Sequence, residues 1–184
     1  MKRVFDVLLS LVALVLLSPL LVAAAIAIAF ESGRPIFFKQ VRLGLAGREF
    51  GMYKFRSMVK DAARIGPWHT ASGDPRITRV GRFLRRTSID ELPQLLNVLQ
   101  GDMSIVGPRP DVPAQRALYS DEDWALRCSV RPGITGLAQA LLRSEATEAR
   151  RLELDLRYAR FHSLLLDFKI IGWTLGRLSG KASN

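Results

Sequence analysis

Twenty-four consecutive residues, Val7 through Phe30, carry no charge, and the pair Ser18-Pro19 falls at the middle of them. As a straight helix such a run is about 36 Å long, against a hydrocarbon core of about 30 Å. Three readings compete. A cleaved signal peptide would have the basic start Lys2-Arg3 and the small residues Ala23-Ala24-Ala25, but the apolar run continues through Ile26 and Ile28 to Phe30, past an ordinary signal core. The others are a helix that spans the bilayer and a helix that enters, bends and leaves on the same side. Proline removes one backbone donor and crowds the preceding turn. Each half of the run is about 12 residues, near 18 Å, too short to span alone. In lipid the freed carbonyl needs a donor, and the Ser18 hydroxyl stands beside it. Lys2 and Arg3 precede the run and Arg34, Lys39 and Arg42 follow it, so both ends read as cytoplasmic. The residues alone leave the two topologies open, because spanning helices also tolerate a proline. Asp6 either pairs with Arg3 or another cation, or marks a solvated helix end.

The rest of the chain mixes polar and apolar residues without repeats. Its 27 Lys+Arg against 17 Asp+Glu, a formal charge of +10 in 184 residues, favour a polyanionic partner: nucleic acid, anionic lipid headgroups or a phosphorylated substrate. Cys128 is the only cysteine, which excludes an intrachain disulfide and a cysteine-based metal cluster. Residues 36–38 and 49–55 read as short strands around the turn at 44–47, and 59–64 as a short helix. Residues 66–75 read as a loop. Arg76, Arg79, Arg82, Arg85 and Arg86 then recur at near-helical spacing. Leu92, Leu95, Leu96 and Leu99 form a helical face that stops at Gly101. Residues 114–127 and 147–177 read as helices. The apolar stretch at 164–173 suits either a buried core helix or an amphipathic helix at a membrane surface.

Chemistry concentrates at Ser88-Ile89-Asp90-Glu91-Leu92-Pro93-Gln94-Leu95. Ser88 and Glu91 match a capping box, although Asp90 as the capping residue would suit Pro93 better. Two adjacent carboxylates at a helix start are also explained by the helix dipole alone. A second segment reads Gly101-Asp102-Met103-Ser104-Ile105-Val106-Gly107-Pro108-Arg109-Pro110, in which two prolines stiffen the backbone around Arg109, whose guanidinium matches phosphate oxygens. Arg131-Pro132-Gly133-Ile134-Thr135-Gly136 reads as a rigid turn behind a further cation. His69 and His162 lie outside these segments and read as structural or surface residues.

Together with Lys2-Arg3-Val4-Phe5-Asp6, Ser18-Pro19 and Tyr53-Lys54-Phe55-Arg56-Ser57-Met58, these segments occur in an order and spacing that closely resembles the bacterial monotopic phosphoglycosyl transferases, the undecaprenyl-phosphate sugar phosphotransferases, in their minimal form. The resemblance covers nearly the whole chain. One departure is Ala140-Leu141-Leu142, where relatives carry an Asn-Gly pair; it bears on the choice of sugar nucleotide more than on the reaction.

The resemblance implies an α+β chain: a re-entrant anchoring helix over residues 1–33, broken at Ser18-Pro19, and a mostly helical catalytic domain over 34–184 with interfacial amphipathic helices and a small β element. It implies transfer of a phospho-sugar from a UDP-sugar to undecaprenyl phosphate, with release of UMP. Asp90 would be the nucleophile and Glu91 its neighbour in catalysis, both placed to hold Mg²⁺. Lys54, Arg109 and, more weakly, Arg131 would contact phosphate. The expected setting is the cytoplasmic face of the bacterial inner membrane, with the basic stripe on anionic headgroups, no nucleic acid partner, and room for a homodimer. The competing readings are an inactive relative acting as a partner subunit and a membrane-anchored basic scaffold; the chain shows no helix-turn-helix, RNP or zinc-finger pattern.

Overall fold

The computed structural model describes residues 1–66, 73–142 and 147–178. It opens with α1 (Lys2–Ser32), a single long helix whose apolar length suffices to cross a membrane. Ser18-Pro19 does not divide it into two separate helices. Pro19 lacks the N–H that would bond Val15, and the Ser18 hydroxyl donates to that carbonyl instead, at 2.8 Å. The helix therefore continues, with Ser18 and Pro19 on its outer, exposed side.

Both ends of α1 are fastened to the same body. Lys2 Nζ lies 2.6 Å from the buried Asp167 carboxylate, and Arg3 donates to the carbonyls of Val98 and Leu99. Asp6, expected at a solvated end or beside a cation, is buried. It accepts from Ser104 Oγ at 2.9 Å and from the Ile105 N–H at 3.2 Å, with Lys2 only at 4.0 Å. At the far end Glu31 accepts from the Arg79 and Val80 N–H groups, and Arg56 Nη2 caps the carbonyls of Ser32 and Gly33, each at 2.8 Å. Ala24 and Ile28 are buried in a small core with Phe55 and Leu84. A cleavable leader would not carry such core positions.

Strands β1 (Phe37–Leu43) and β2 (Glu49–Phe55) form an antiparallel hairpin in which Phe37 faces Phe55 and Leu43 faces Glu49. The rings of Phe37 and Phe55 stack at 5.3 Å. After α2 (Ala62–Ile65) comes α3 (Arg79–Arg86), capped by the Thr78 side chain on the Gly81 N–H. Gly81 lies so close to the Ser57 carbonyl that a Cβ there would stand 2.0 Å from it, so only glycine lets α3 dock on that strand end. A 3₁₀ turn at Ile89–Glu91 leads to α4 (Gln94–Gln100), which ends at Gly101 with φ 96°, the left-handed stop expected there.

A parallel pair follows, β3 (Ser104–Val106) beside β4 (Gly133–Thr135), so the stretch expected to be a rigid turn after Arg131 is a strand. Between them lie a 3₁₀ segment at Pro113–Leu118 and α5 (Asp121–Arg127); the single helix expected over 114–127 is interrupted at Tyr119-Ser120, where Ser120 caps α5. The chain closes with α6 (Leu137–Leu141), α7 (Glu148–Phe161) and α8 (Leu164–Leu178). The helix expected over 147–177 is likewise two helices, divided where the Ser163 hydroxyl accepts from the Leu166 N–H. The main core joins Met52, Leu95, Val98, Met103, Val106, Leu154, Tyr158 and Ile170. Helix α8 is buried on one side, at Asp167 and Ile170, while Leu165, Phe168, Trp173 and Leu175 face outward. His69 lies outside the described residues, and His162 follows α7 with its Nδ1 3.1 Å from the Ala159 carbonyl.

Candidate active site

The hairpin, α3 and the 3₁₀ turn enclose a cavity of about 890 Å³, within the usual range for a small-molecule site. Phe37, Phe38 and Met58 give it apolar walls. Its charged lining is unbalanced: Arg42, Lys54, Arg56, Lys60, Arg64, Arg76, Arg85 and Arg109 against Asp61, Asp90 and Glu91. Such a cavity suits a ligand carrying several negative charges.

Asp90 and Glu91 are neighbours in sequence with different surroundings. Glu91 Oε1 accepts from Lys54 Nζ at 2.7 Å and from Arg109 Nη2 at 3.2 Å. The expected capping box is thus not formed: the Glu91 side chain reaches to the hairpin and the Arg109 loop, Ser88 takes a left-handed turn at φ 57°, and α4 starts only after Pro93. Burial alone would raise the Glu91 carboxyl, but Arg109 and Lys54 outweigh it and hold its pKa down to about 2. Asp90 is 7% exposed, and its carboxylate has no side-chain hydrogen-bond partner among the described residues. Burial, then the charge of Glu91, push its pKa above the ordinary 3.8, against the weaker pull of Lys54 and Arg85. One carboxylate organises cations; the other is buried, uncommitted and relatively basic.

Lys54 owes its place to β2, and β2 owes its place to Asn97. The fully buried Asn97 accepts from the Tyr53 N–H and donates to the Gly51 carbonyl, each at 2.9 Å, riveting α4 to the strand one residue before Lys54. Burial lowers the Lys54 pKa, and the Glu91 charge works the other way. Arg85 reaches the site from α3 by donating to Ser57 Oγ at 2.8 Å. Arg42 lines the cavity with a buried Nε that has no partner among the described residues, and burial, then Arg109, bring its pKa to about 10.

Four of the expected residues, Lys54, Asp90, Glu91 and Arg109, therefore meet in one place. Arg131 does not join them. Its Nε donates to the Gly101 carbonyl at 2.8 Å, and it does not line the cavity. Arg76 also leaves the expected surface stripe, turning inward onto Asp74 at 2.6 Å. Arg42, Arg85 and Asn97 belong to the site or its frame. The sequence placed Arg42 only as a flanking charge, Arg85 only in the basic stripe, and gave no signal for Asn97.

No three His, Cys, Asp or Glu side chains converge among the described residues, so the carboxylates present would not enclose a divalent ion by themselves. They do fit an ion shared with a substrate. Mg²⁺ takes one or two carboxylates and completes its shell with phosphate oxygens and water, and neither the Asp90 carboxylate nor Glu91 Oε2 accepts from a side-chain donor among the described residues.

The chain matches the bacterial sugar transferase family over residues 1–181. It is 46% identical to an undecaprenyl-phosphate glucose phosphotransferase of Komagataeibacter xylinus, over 96% of this chain and 35% of that protein. It is 46% identical to a UDP-glucose:undecaprenyl-phosphate glucose-1-phosphate transferase of Xanthomonas campestris pv. campestris, over 98% and 39%. The chain thus spans little more than a third of those two relatives. With the exopolysaccharide production protein PSS of Rhizobium leguminosarum bv. phaseoli the identity is 44%, over 95% of this chain and 93% of that one. A match along nearly the full length, joined to a cation-lined cavity beside a long apolar helix, settles the classification: the chain belongs to the bacterial sugar transferase family.

Proposed function

We propose that this protein transfers a phospho-sugar from a UDP-sugar to undecaprenyl phosphate at a membrane surface, with Asp90 as nucleophile. The observation that carries the reading is the division of labour in the Asp90-Glu91 pair: Glu91 is committed to Lys54 and Arg109, whereas Asp90 is free of such partners and its pKa is raised by burial. An Asp90 oxygen bonds to the β-phosphorus of the donor, the bond from that phosphorus to the bridging oxygen breaks, and UMP departs with the electron pair. An oxygen of undecaprenyl phosphate then bonds to the same phosphorus and expels the Asp90 carboxylate. The lipid phosphate is already ionised at neutral pH, so the second step needs no general base. Lys54 and Arg109 offset the charge that gathers on the diphosphate, and Arg42 and Arg85 extend the cationic lining. Asp90 and Glu91 would hold Mg²⁺ together with the diphosphate oxygens, where it would supply further charge neutralisation.

The fold supports a division into an anchor over residues 1–33 and a catalytic part over 34–184. Both ends of α1 are tied to one body, which favours a helix that enters and leaves the same leaflet on the cytoplasmic face of the inner membrane. The outward apolar residues of α8 and the exposed Arg79, Arg82 and Arg86 of α3 suit a headgroup-level surface, where each cation is worth on the order of 1 kcal/mol. A homodimer is compatible with this arrangement. The test is release of UMP from a panel of UDP-sugars by the protein in lipid nanodiscs, with and without undecaprenyl phosphate and with and without a chelator. Catalytic UMP release that requires the lipid phosphate and is lost in chelator supports the reading; a panel without release contradicts it.

A further inference from the structure

The carbonyls of four successive residues, Pro108 to Asp111, are each taken by a donor from elsewhere. The Gly133 N–H bonds Pro108 at 2.9 Å, Arg127 Nη2 bonds Arg109 at 2.7 Å, Arg42 Nη1 bonds Pro110 at 2.9 Å, and the Leu43 N–H bonds Asp111 at 2.8 Å. Two of these donors are backbone groups, and Arg42 lines the cavity itself. Arg127 is the remote side chain in the set. It sits at the end of α5, buried and outside the cavity lining.

Arg127 makes more contacts than charge balance requires. Nη1 meets the Asp111 carboxylate, Nη2 meets Asp155 on α7 at 2.9 Å, Nε meets the same oxygen at 3.2 Å, and the guanidinium lies 5.4 Å from the centre of the Tyr119 ring. The Arg109 head is 52% exposed and touches Glu91 at its tip, so its location is set by the backbone beneath it. Pro108 and Pro110 make that backbone stiff but do not fix where the stiff piece lies. Anchoring does that.

We propose that Arg127, held by Asp155, is a positioning residue that places Arg109 over the Asp90-Glu91 pair. The inference rests on the reading of Arg109 as a ligand of the substrate phosphate. A lysine at position 127 would satisfy the charge of Asp111 and Asp155. The guanidinium reaches both carboxylates and the Arg109 carbonyl from three nitrogens spread across a plane, whereas a lysine holds its three donors on one atom and is not expected to meet all of them in place. Arg127→Lys therefore separates positioning from charge balance.

The experiment is a double-mutant cycle of Arg127→Lys with Arg109→Ala, on the full chain in lipid nanodiscs, reading kcat and KM for UDP-glucose beside thermal melting. Arg127→Lys is expected to lower kcat by about tenfold or more in the otherwise unaltered protein, the scale of a misplaced catalytic group. In the Arg109→Ala background the same change is expected to cost less than about twofold, because no guanidinium is left to misplace. Equal penalties in the two backgrounds, or an unchanged kcat in folded Arg127→Lys, overturn the inference. Asp155→Asn carries the same cycle if Arg127→Lys does not fold. If neither variant folds, Arg127 is a folding residue and the inference is overturned. Arg109→Ala alone turning over at the unaltered rate overturns the reading of Arg109, an outcome visible without any Arg127 variant.

Discussion

The Ser18 hydroxyl donates to the Val15 carbonyl at 2.8 Å, the carbonyl that an N–H at position 19 would otherwise have taken. One serine thus satisfies the acceptor that the next residue orphans, on the exposed side of a helix without water to help in lipid. Ser18→Ala is expected to destabilise the protein in nanodiscs by about 1 kcal/mol, the usual net worth of one such bond. Ser18→Thr, which keeps the hydroxyl, is expected to retain most of that stability. Denaturation midpoints of the two variants check it.

Because Lys2 and Glu31 fasten opposite ends of α1 to one body, both ends should be reached from one side of the membrane. Val4 and Arg34 are exposed near those ends, and Cys128 is buried. Val4→Cys and Arg34→Cys, each in a Cys128→Ser background, are expected to react with an impermeant maleimide from the cytoplasmic side alone. Labelling of the two from opposite sides would establish a spanning helix.

Asp90 trades stability for reactivity. Its folded pKa lies above the unfolded value, so its ionised form costs the folded state, and that cost appears as pH rises through the unfolded and then the folded pKa. Asp90→Asn is expected to abolish turnover, by at least about 10³-fold, while melting at or above the temperature of the unaltered protein. A lower melting temperature would contradict the electrostatic part of this account.

Glu91 has the opposite sign. With a folded pKa of about 2 against an ordinary 4.5, it contributes stability above pH 4.5 that is lost as pH falls from there toward 2. Glu91→Gln removes that contribution and also the charge that opposes the lowering of the Lys54 pKa by burial. The alkaline limb of the pH-rate profile is therefore expected to move to lower pH in Glu91→Gln, with kcat down about 10²-fold near neutrality. An unmoved alkaline limb would show that Lys54 does not depend on Glu91.

The parts of this structure legible in the sequence were those with local signals. Short apolar runs at 36–38 and 49–55 around a glycine-rich turn mark parts of the hairpin, and Leu92 to Gly101 mark α4 and its stop. Local signals were also present and passed over at Ser120 and Ser163, which cap helices in segments read as continuous. What stayed hidden depends on distant contacts. The Ser88-Glu91 capping pattern failed because Lys54 and Arg109, from other elements, claim the Glu91 carboxylate. Arg76 is a local exception: Asp74, two residues earlier, draws it inward out of the basic stripe. Arg131 looked like Arg109, each followed by a proline, yet the parallel pairing of β3 and β4 carries it onto the Gly101 carbonyl. Asn97 holds β2 through Tyr53 and Gly51, and Arg127 holds the Arg109 loop from α5, partners at sequence distances that spacing cannot reveal.

The claim on which the rest depends is that the Asp90 oxygen carries the sugar phosphate between the two half-reactions. Intact-mass measurement of the protein incubated with UDP-glucose in the absence of undecaprenyl phosphate, followed by peptide mapping, tests it directly. The account predicts an added hexose phosphate on the peptide containing Asp90, discharged on adding undecaprenyl phosphate and absent in Asp90→Asn. A protein that turns over without ever gaining that mass, or gains it at another residue, would contradict it.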